Sequence, residues 1–143
     1  MEGAQAIRSV DKVTPIMVGP GSYYKLYLFT DSMYLDGIDN VIYTFDYFNP
    51  DKYIFNEDVD TYPGTYKCNR LYKGWVLQNC PGGNGDADIR FDADWHENNF
   101  KKWAVTFRDK YNVPVYMNQW NVVHGVKAEE GREQYIADVA RLS

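Results

Sequence analysis

Several features are scarce in this 143-residue sequence, and each absence excludes a class of protein. No apolar run approaches the roughly 20 residues of a membrane-spanning helix, so we expect no membrane span. The opening MEGAQAIRSVDK has no apolar stretch behind a basic end, so we expect no signal peptide in this chain. Basic residues are outnumbered by acidic ones, 15 to 20, and do not interleave with aromatics, which argues against nucleic acid as a partner.

Cysteine is also scarce. The two cysteines, Cys68 and Cys80, lie 12 positions apart in a region with no regular pattern. They would form a disulfide if the protein is exported, or remain two thiols in a reducing compartment. The sequence leaves both possibilities open, because it does not give the distance between the two residues.

Aromatic residues, by contrast, are abundant at 17% of the chain, and 13 of them are tyrosines. Tyrosine suits a sugar-binding surface, since its ring can lie against a pyranose face while its hydroxyl bonds to water or sugar. It suits a sheet core equally well. The composition alone therefore favours neither role.

Apolar runs alternate with helical patterns along the chain, and this alternation predicts an α/β fold with a parallel sheet. The runs PIMV, NVIYTFDYF and VPVYMN are typical of three buried strands. Helices are predicted at residues 1–9, 22–35, 92–111 and 127–143. Residues 51–91 show no period, and a loop of that length is expected to be functional or to form a lid.

The helix predicted at residues 92–111 has the clearest signals. Asp94 is the expected N-cap, and Glu97 would complete a capping box. One apolar stripe runs along it at helical spacing, formed by Phe100, Trp103, Ala104, Phe107 and Tyr111.

A parallel sheet of three strands leaves unpaired edges and needs cover on both faces. Such a unit is typical of a part of something larger. An eight-stranded βα barrel takes about 250 residues, well above the length of this chain.

Four blocks of the sequence, AIRSVDKVTPIMVGP, NVIYTFDYFNP, YPGTYKC and WHENNFKKWAVTFRDKYNVPVYMNQWNV, resemble glycoside hydrolase family 5 in their order and spacing. This is the cellulase and endoglucanase group. The resemblance implies a partial (β/α)8 TIM barrel, with residues 1–143 as one segment covering roughly the fifth to seventh βα units. It also implies β-glucan as the polysaccharide partner, an extracellular location, and neither a cofactor nor a metal.

The resemblance further implies a degraded catalytic site. Retaining glycosidases need two carboxylates about 5 Å apart. The family's nucleophilic glutamate ends the seventh strand, where this chain has Gln119, and its acid/base glutamate follows the fourth strand, ahead of this sequence. The family's histidine and tyrosine after the sixth strand correspond to Asp46 and Phe48 here.

Neighbouring residues are candidates for substrate binding. Asn118 and Trp120 flank the nucleophile position, although Trp120 is equally suited to core packing. Tyr47 is out of phase with Asp46 on a strand and is expected to face the other way. Asp46 itself would act as a general acid/base or, more simply, as a structural hydrogen-bonding group.

Two histidines complete the candidates for chemistry. His124 follows the third predicted strand in a loop, and His96 lies at the start of the long helix. Both are expected at the surface. Neither is spaced with cysteine or another histidine as zinc ligands are.

We therefore expect a partial family 5 barrel, derived from enzymes acting on β-glucan and without hydrolytic activity of its own. One alternative is a carbohydrate-binding pseudoenzyme. The other is a half-barrel that associates with itself or with a complementing half.

Overall fold

The structure, a computed structural model, describes residues 2–72, 80–83 and 85–142, and within these ranges the chain is a mixed α/β fold. The strands there are β1 (Ile16–Val18), β2 (Val41–Tyr47), β3 (Gly64–Lys67), β4 (Asp88–Phe91) and β5 (Val115–Trp120). The right-handed α-helices there are α1 (Glu2–Val10), α2 (Asp51–Ile54), α3 (Cys68–Leu71), α4 (Ala93–Phe100, continued by a π-helical segment Lys101–Val105 and by Thr106–Tyr111) and α5 (Arg132–Ala140). The predicted α/β class is confirmed.

The chain divides into two compact units, each described here by itself. The first unit comprises Met1–Tyr47 and Phe100–Gln119, and the second comprises Phe48–Asn99 and Trp120–Ser143.

The first unit holds a three-stranded parallel sheet in the order β1–β2–β5, which confirms the three predicted strands. Ile16 of β1 lies opposite Val41 of β2, and Val18 lies opposite Tyr43. The Tyr43 N–H donates to the carbonyl of Pro114 at 3.0 Å, which ties β2 to the start of β5. Within the described ranges the sheet is open, and no barrel closes.

One face of this sheet packs against the second half of α4. Tyr43 and Phe45 of β2 are buried, and their rings meet those of Phe107 at 4.9 Å and Phe100 at 5.6 Å, edge to face. The predicted stripe on the helix is confirmed at its centre, where Phe100, Ala104 and Phe107 are buried. Alternate residues of a strand face one way, so these rings fix which side of β2 is core.

The opposite face is exposed at the two outer strands. Met17 of β1 and Tyr116 of β5 are both 52% exposed, although both lie within strands. We predicted strands buried on both faces, and this is wrong for β1 and β5. Apolar side chains alone do not bury a strand, because a second layer must also lie against it.

The segment of residues 22–35, predicted to be a helix, is not one. Ser22, Tyr23 and Tyr24 have left-handed backbones with φ of 53°, 62° and 54°, and the rest forms short 3-10 turns at Leu26–Leu28 and Asp31–Met33. Leu26 and Phe29, three positions apart, are buried. Single turns are therefore enough to bury these two side chains. The prediction was wrong because it interpreted the same apolar spacing as a continuous helix.

The second unit contains more regular structure than the predicted loop at residues 51–91. β3 and β4 form an antiparallel hairpin, with Gly64 opposite Phe91 and Lys67 opposite Asp88. The helices α2 and α3 lie in the same region, so the prediction of an irregular loop is wrong there. Residues 73–79 and 84 of that predicted loop lie outside the described residues.

The two cysteines are joined by a disulfide, Cys68–Cys80, and both residues are buried. This bond ties the start of α3 to the segment that leads into β4. Of the two states that the sequence left open for these cysteines, the structure has the bonded one.

Two turns show the local chemistry that sets helix ends. The carboxylate of Asp92 accepts a hydrogen bond from the Trp95 N–H at 3.1 Å, so α4 is capped two residues before the predicted Asp94. Gly131 precedes α5 with φ of 85°, and a Cβ there would collide with the carbonyl of Tyr62. Glycine is therefore required at that position.

None of the helices in the described part of the chain is both long enough and apolar enough to cross a membrane.

Candidate functional site

The carboxyl ends of the three parallel strands bring polar side chains together in the first unit. Asp46 lies near the end of β2, and Asn118 and Gln119 lie near the end of β5. The Asn118 Nδ2 donates to the Asp46 Oδ1 at 3.1 Å. Two residues that the sequence placed at one site, 72 positions apart, are thus in direct contact.

The segment after β1 reaches the same edge. Lys25 forms an isolated parallel bridge with Asp46 through the backbone. The three left-handed residues just before it leave Tyr23 86% exposed and Tyr24 45% exposed. The sequence analysis missed this contribution, because it assigned the segment to a helix.

Gln119 is exposed at the strand end, and Asp46 is half-buried. Asp46 and Asn118 present a carboxylate and an amide to hydroxyl groups on one face of the sheet, while Gln119 is exposed at the same strand end with its side chain alternating to the other face. An amide carries no charge and is a poor nucleophile. The arrangement therefore suits binding of a hydroxylated ligand better than a retaining glycosidase mechanism, which needs two carboxylates.

Tyr47 does not belong to this edge. It is fully buried, and its ring packs against Phe100 with centroids 4.6 Å apart. The expectation that it faces away from Asp46 is confirmed by this burial. The suggested role of Tyr47 in substrate binding is corrected, since its ring has no exposed surface for a sugar.

Phe48 and Trp120 belong to the second unit, and each is half-buried there. Half-buried rings retain surface that a ligand can touch. Their assignment to the family tyrosine position and to substrate binding stays a prediction.

His96, predicted at the surface, is completely buried in the second unit. The rings around it, with centroids at 4.8 to 5.5 Å, are those of Tyr62, Phe91, Trp95 and Tyr135. Burial lowers the pKa of His96 from 6.5 to about 3, and the charge of Asp138 opposes this only in part. The imidazole is therefore neutral at pH 7. His124 is exposed, as predicted.

Asp138 is a buried carboxylate that the sequence analysis missed. It accepts hydrogen bonds from the Tyr62 hydroxyl at 2.8 Å and from the Gln134 Nε2 at 2.9 Å, and it pairs with Arg141. Burial, followed by the hydrogen bond to Asp138, raises the pKa of Tyr62 above its usual range. A signal existed, because Asp138 lies one helical turn after Tyr135 on the apolar side of α5.

Metal ligation has no support in the described residues, where no group of three or more histidine, cysteine, aspartate or glutamate side chains could hold an ion. No protein-family model matches the chain, and no curated protein matches it either.

The burial of His96 predicts acid sensitivity. The unfolded chain protonates this histidine near pH 6.5 and the folded chain only near pH 3, so the unfolded state binds more protons between these values. The free energy of unfolding should therefore fall as the pH drops below 6.5, by at most about 1.4 kcal/mol per pH unit from this group. Urea titrations between pH 7 and 4.5 measure it.

The matched variants are His96→Leu and His124→Leu. The first should flatten the pH dependence relative to the native chain, even if it is less stable at pH 7, and the second should leave it unchanged. Equal pH dependence in the native chain and His96→Leu would contradict the assignment.

Proposed function

We propose that this chain is a segment of a family 5-like (β/α)8 barrel that binds β-glucan and does not hydrolyse it by itself. The open parallel sheet supports this, because its spatial order follows the chain order of its strands, as consecutive strands of a barrel do. The quoted sequence blocks support the family. Under this proposal, β1, β2 and β5 correspond to the fifth, sixth and seventh barrel strands.

The observation that carries the proposal is the contact between Asp46 and Asn118 beside Gln119. It lies at the carboxyl ends of the strands, which is where βα barrels hold their substrates. The polar side chains there can bond to sugar hydroxyls, and the exposed rings of Tyr23 and Tyr24 supply apolar surface close by.

The absence of hydrolysis follows from Gln119. The resemblance places the nucleophile at this position, and an amide there keeps the shape and hydrogen-bonding capacity of glutamate without its charge. Gln119 is therefore suited to holding a sugar through hydrogen bonds and is not suited to attacking an anomeric carbon.

An extracellular location is part of the proposal. The buried Cys68–Cys80 disulfide supports it, because structural disulfides persist mainly in oxidising compartments.

The first test is turnover. We expect no sustained release of reducing sugar when the purified chain is incubated with soluble β-glucan, because the position of the nucleophile carries no charge. Steady turnover that persists in the double variant Gln119→Ala, Asp46→Ala would contradict both the inactivity and the choice of site.

The second test is binding, by affinity electrophoresis in gels that contain β-glucan. The native chain should be retarded, and Gln119→Ala should weaken binding about fivefold, as expected for one lost hydrogen bond. Gln5→Ala, which removes an exposed glutamine from α1, is the matched control and should migrate like the native chain. Absence of retardation across several glycans would exclude the binding function.

A second candidate, a half-barrel that pairs with another copy, is favoured by the sheet face that is exposed at the two outer strands. Met17 and Tyr116 are half-exposed within strands, and a second copy covering them would bury that apolar surface. This half-barrel candidate predicts a particle of twice the 16.7 kDa chain mass, measured by size exclusion with light scattering.

Tyr116→Glu should dissociate that particle. Val13→Glu, at a residue that is 79% exposed before β1, should not. A native chain that remains monomeric at every concentration rules this candidate out.

A further inference from the structure

A cavity of about 330 Å³ lies in the first unit at the amino ends of β2 and β5, the opposite ends of these strands from the Asp46 site. Val41, the first residue of β2, and Pro114, just before β5, form part of its wall. The residues that matter most for binding are Tyr34, Ile38, Asp39, Tyr111, Asn112 and Val113. None of them takes part in the site described above.

Packing and hydrogen bonds hold several side chains of the cavity in place. The rings of Tyr34 and Tyr111 stack with centroids 4.1 Å apart and an angle of 11° between their planes. The Tyr43 hydroxyl, also at the cavity, accepts a hydrogen bond from the Leu35 N–H at 2.8 Å. The side chain of Asn40 is also held by a hydrogen bond, which its amide donates to the Val13 carbonyl at 2.6 Å.

Other polar groups of the cavity are available to a ligand. In the part of the chain that the structure describes, the carboxylate of Asp39, the amide of Asn112 and the hydroxyl of Tyr34 make no hydrogen bond to protein. Asp39 and Asn112 are exposed and therefore hydrated. A ligand with several hydroxyl groups could replace that water without loss of hydrogen bonds.

The charges around the cavity disfavour an anionic ligand. The carboxylate of Asp39 lines the cavity and would repel an anion. The nearby Lys110 ammonium, 5.1 Å from the centroid of the Tyr111 ring, does not offset this repulsion, because it is already paired with Asp31 at 2.6 Å. The size of the cavity, at the lower end of the roughly 300–1,000 Å³ of ligand sites, suits one ring and not an extended chain.

We propose that this cavity binds a single neutral sugar ring, as a second site independent of the Asp46 edge. One face of the ring lies on the wall of tyrosine and aliphatic side chains. Its hydroxyls donate to Asp39 and exchange hydrogen bonds with Asn112 and Tyr34. The site does not require the family resemblance, because its argument uses only the cavity and its own residues.

The test is a titration of the isotopically labelled chain with glucose and with cellobiose, monitored through the chemical shifts of its backbone amides. We expect shifts concentrated at residues 38–41 and 111–113, with a dissociation constant on the order of 1 mM for so few contacts. Shifts confined to residues 46 and 118–119 would overturn this site and leave the proposed function standing. No shifts in either region would overturn both.

The variants are chosen to preserve the fold. Asn112→Gly removes the amide but tolerates the left-handed backbone, whose φ is 51°, and Tyr34→Phe removes the hydroxyl but keeps the stacked ring. Each should raise the dissociation constant measured from the shifts at the cavity about fivefold. Asp39→Ala should do the same, while Asp36→Ala, an exposed carboxylate outside the cavity, should not. Equal binding by Asp39→Ala and Asp36→Ala would refute the proposal.

Discussion

The packing of aromatic rings between β2 and α4 is the interaction on which the first unit depends. Tyr43 and Phe45 reach the helix through Phe107 and Phe100, and edge-to-face pairs of this kind bury large apolar areas with a defined orientation. Because side chains alternate along a strand, burying these rings turns Asp46 to the other face. The position of the polar edge is thus a consequence of core packing.

Strand register completes that edge. The hydrogen bond from Tyr43 to Pro114 sets β2 against β5, and in a parallel pair the two chains then advance together. Asp46 and Asn118 therefore arrive side by side at the carboxyl ends. The same register brings Val41 and Pro114 together at the amino ends, where the cavity opens. One pairing of two strands thus sets the contact between Asp46 and Asn118 at one end of the sheet and the cavity at the other.

The second unit buries polar groups among aromatic rings. His96 remains neutral within a shell of rings, and Asp138 accepts hydrogen bonds from Tyr62 and Gln134 and pairs with Arg141. Buried polar groups are tolerated when they are satisfied in this way. The hairpin of β3 and β4 and the Cys68–Cys80 disulfide order a region whose sequence has no period, because cross-links and hydrogen-bond ladders replace a long apolar stripe.

Local periodicity was enough to predict the three parallel strands, the stripe of Phe100 and Phe107, and the presence of Asp46 and Asn118 at strand ends. It did not reveal the left-handed turn at Ser22–Tyr24, the hairpin, or the burial of His96. These depend on contacts with residues distant in the chain, such as Tyr135 against His96. Which polar side chains meet and which are buried in the core depends on strand register and helix packing, and these are properties of the whole sheet and its helices.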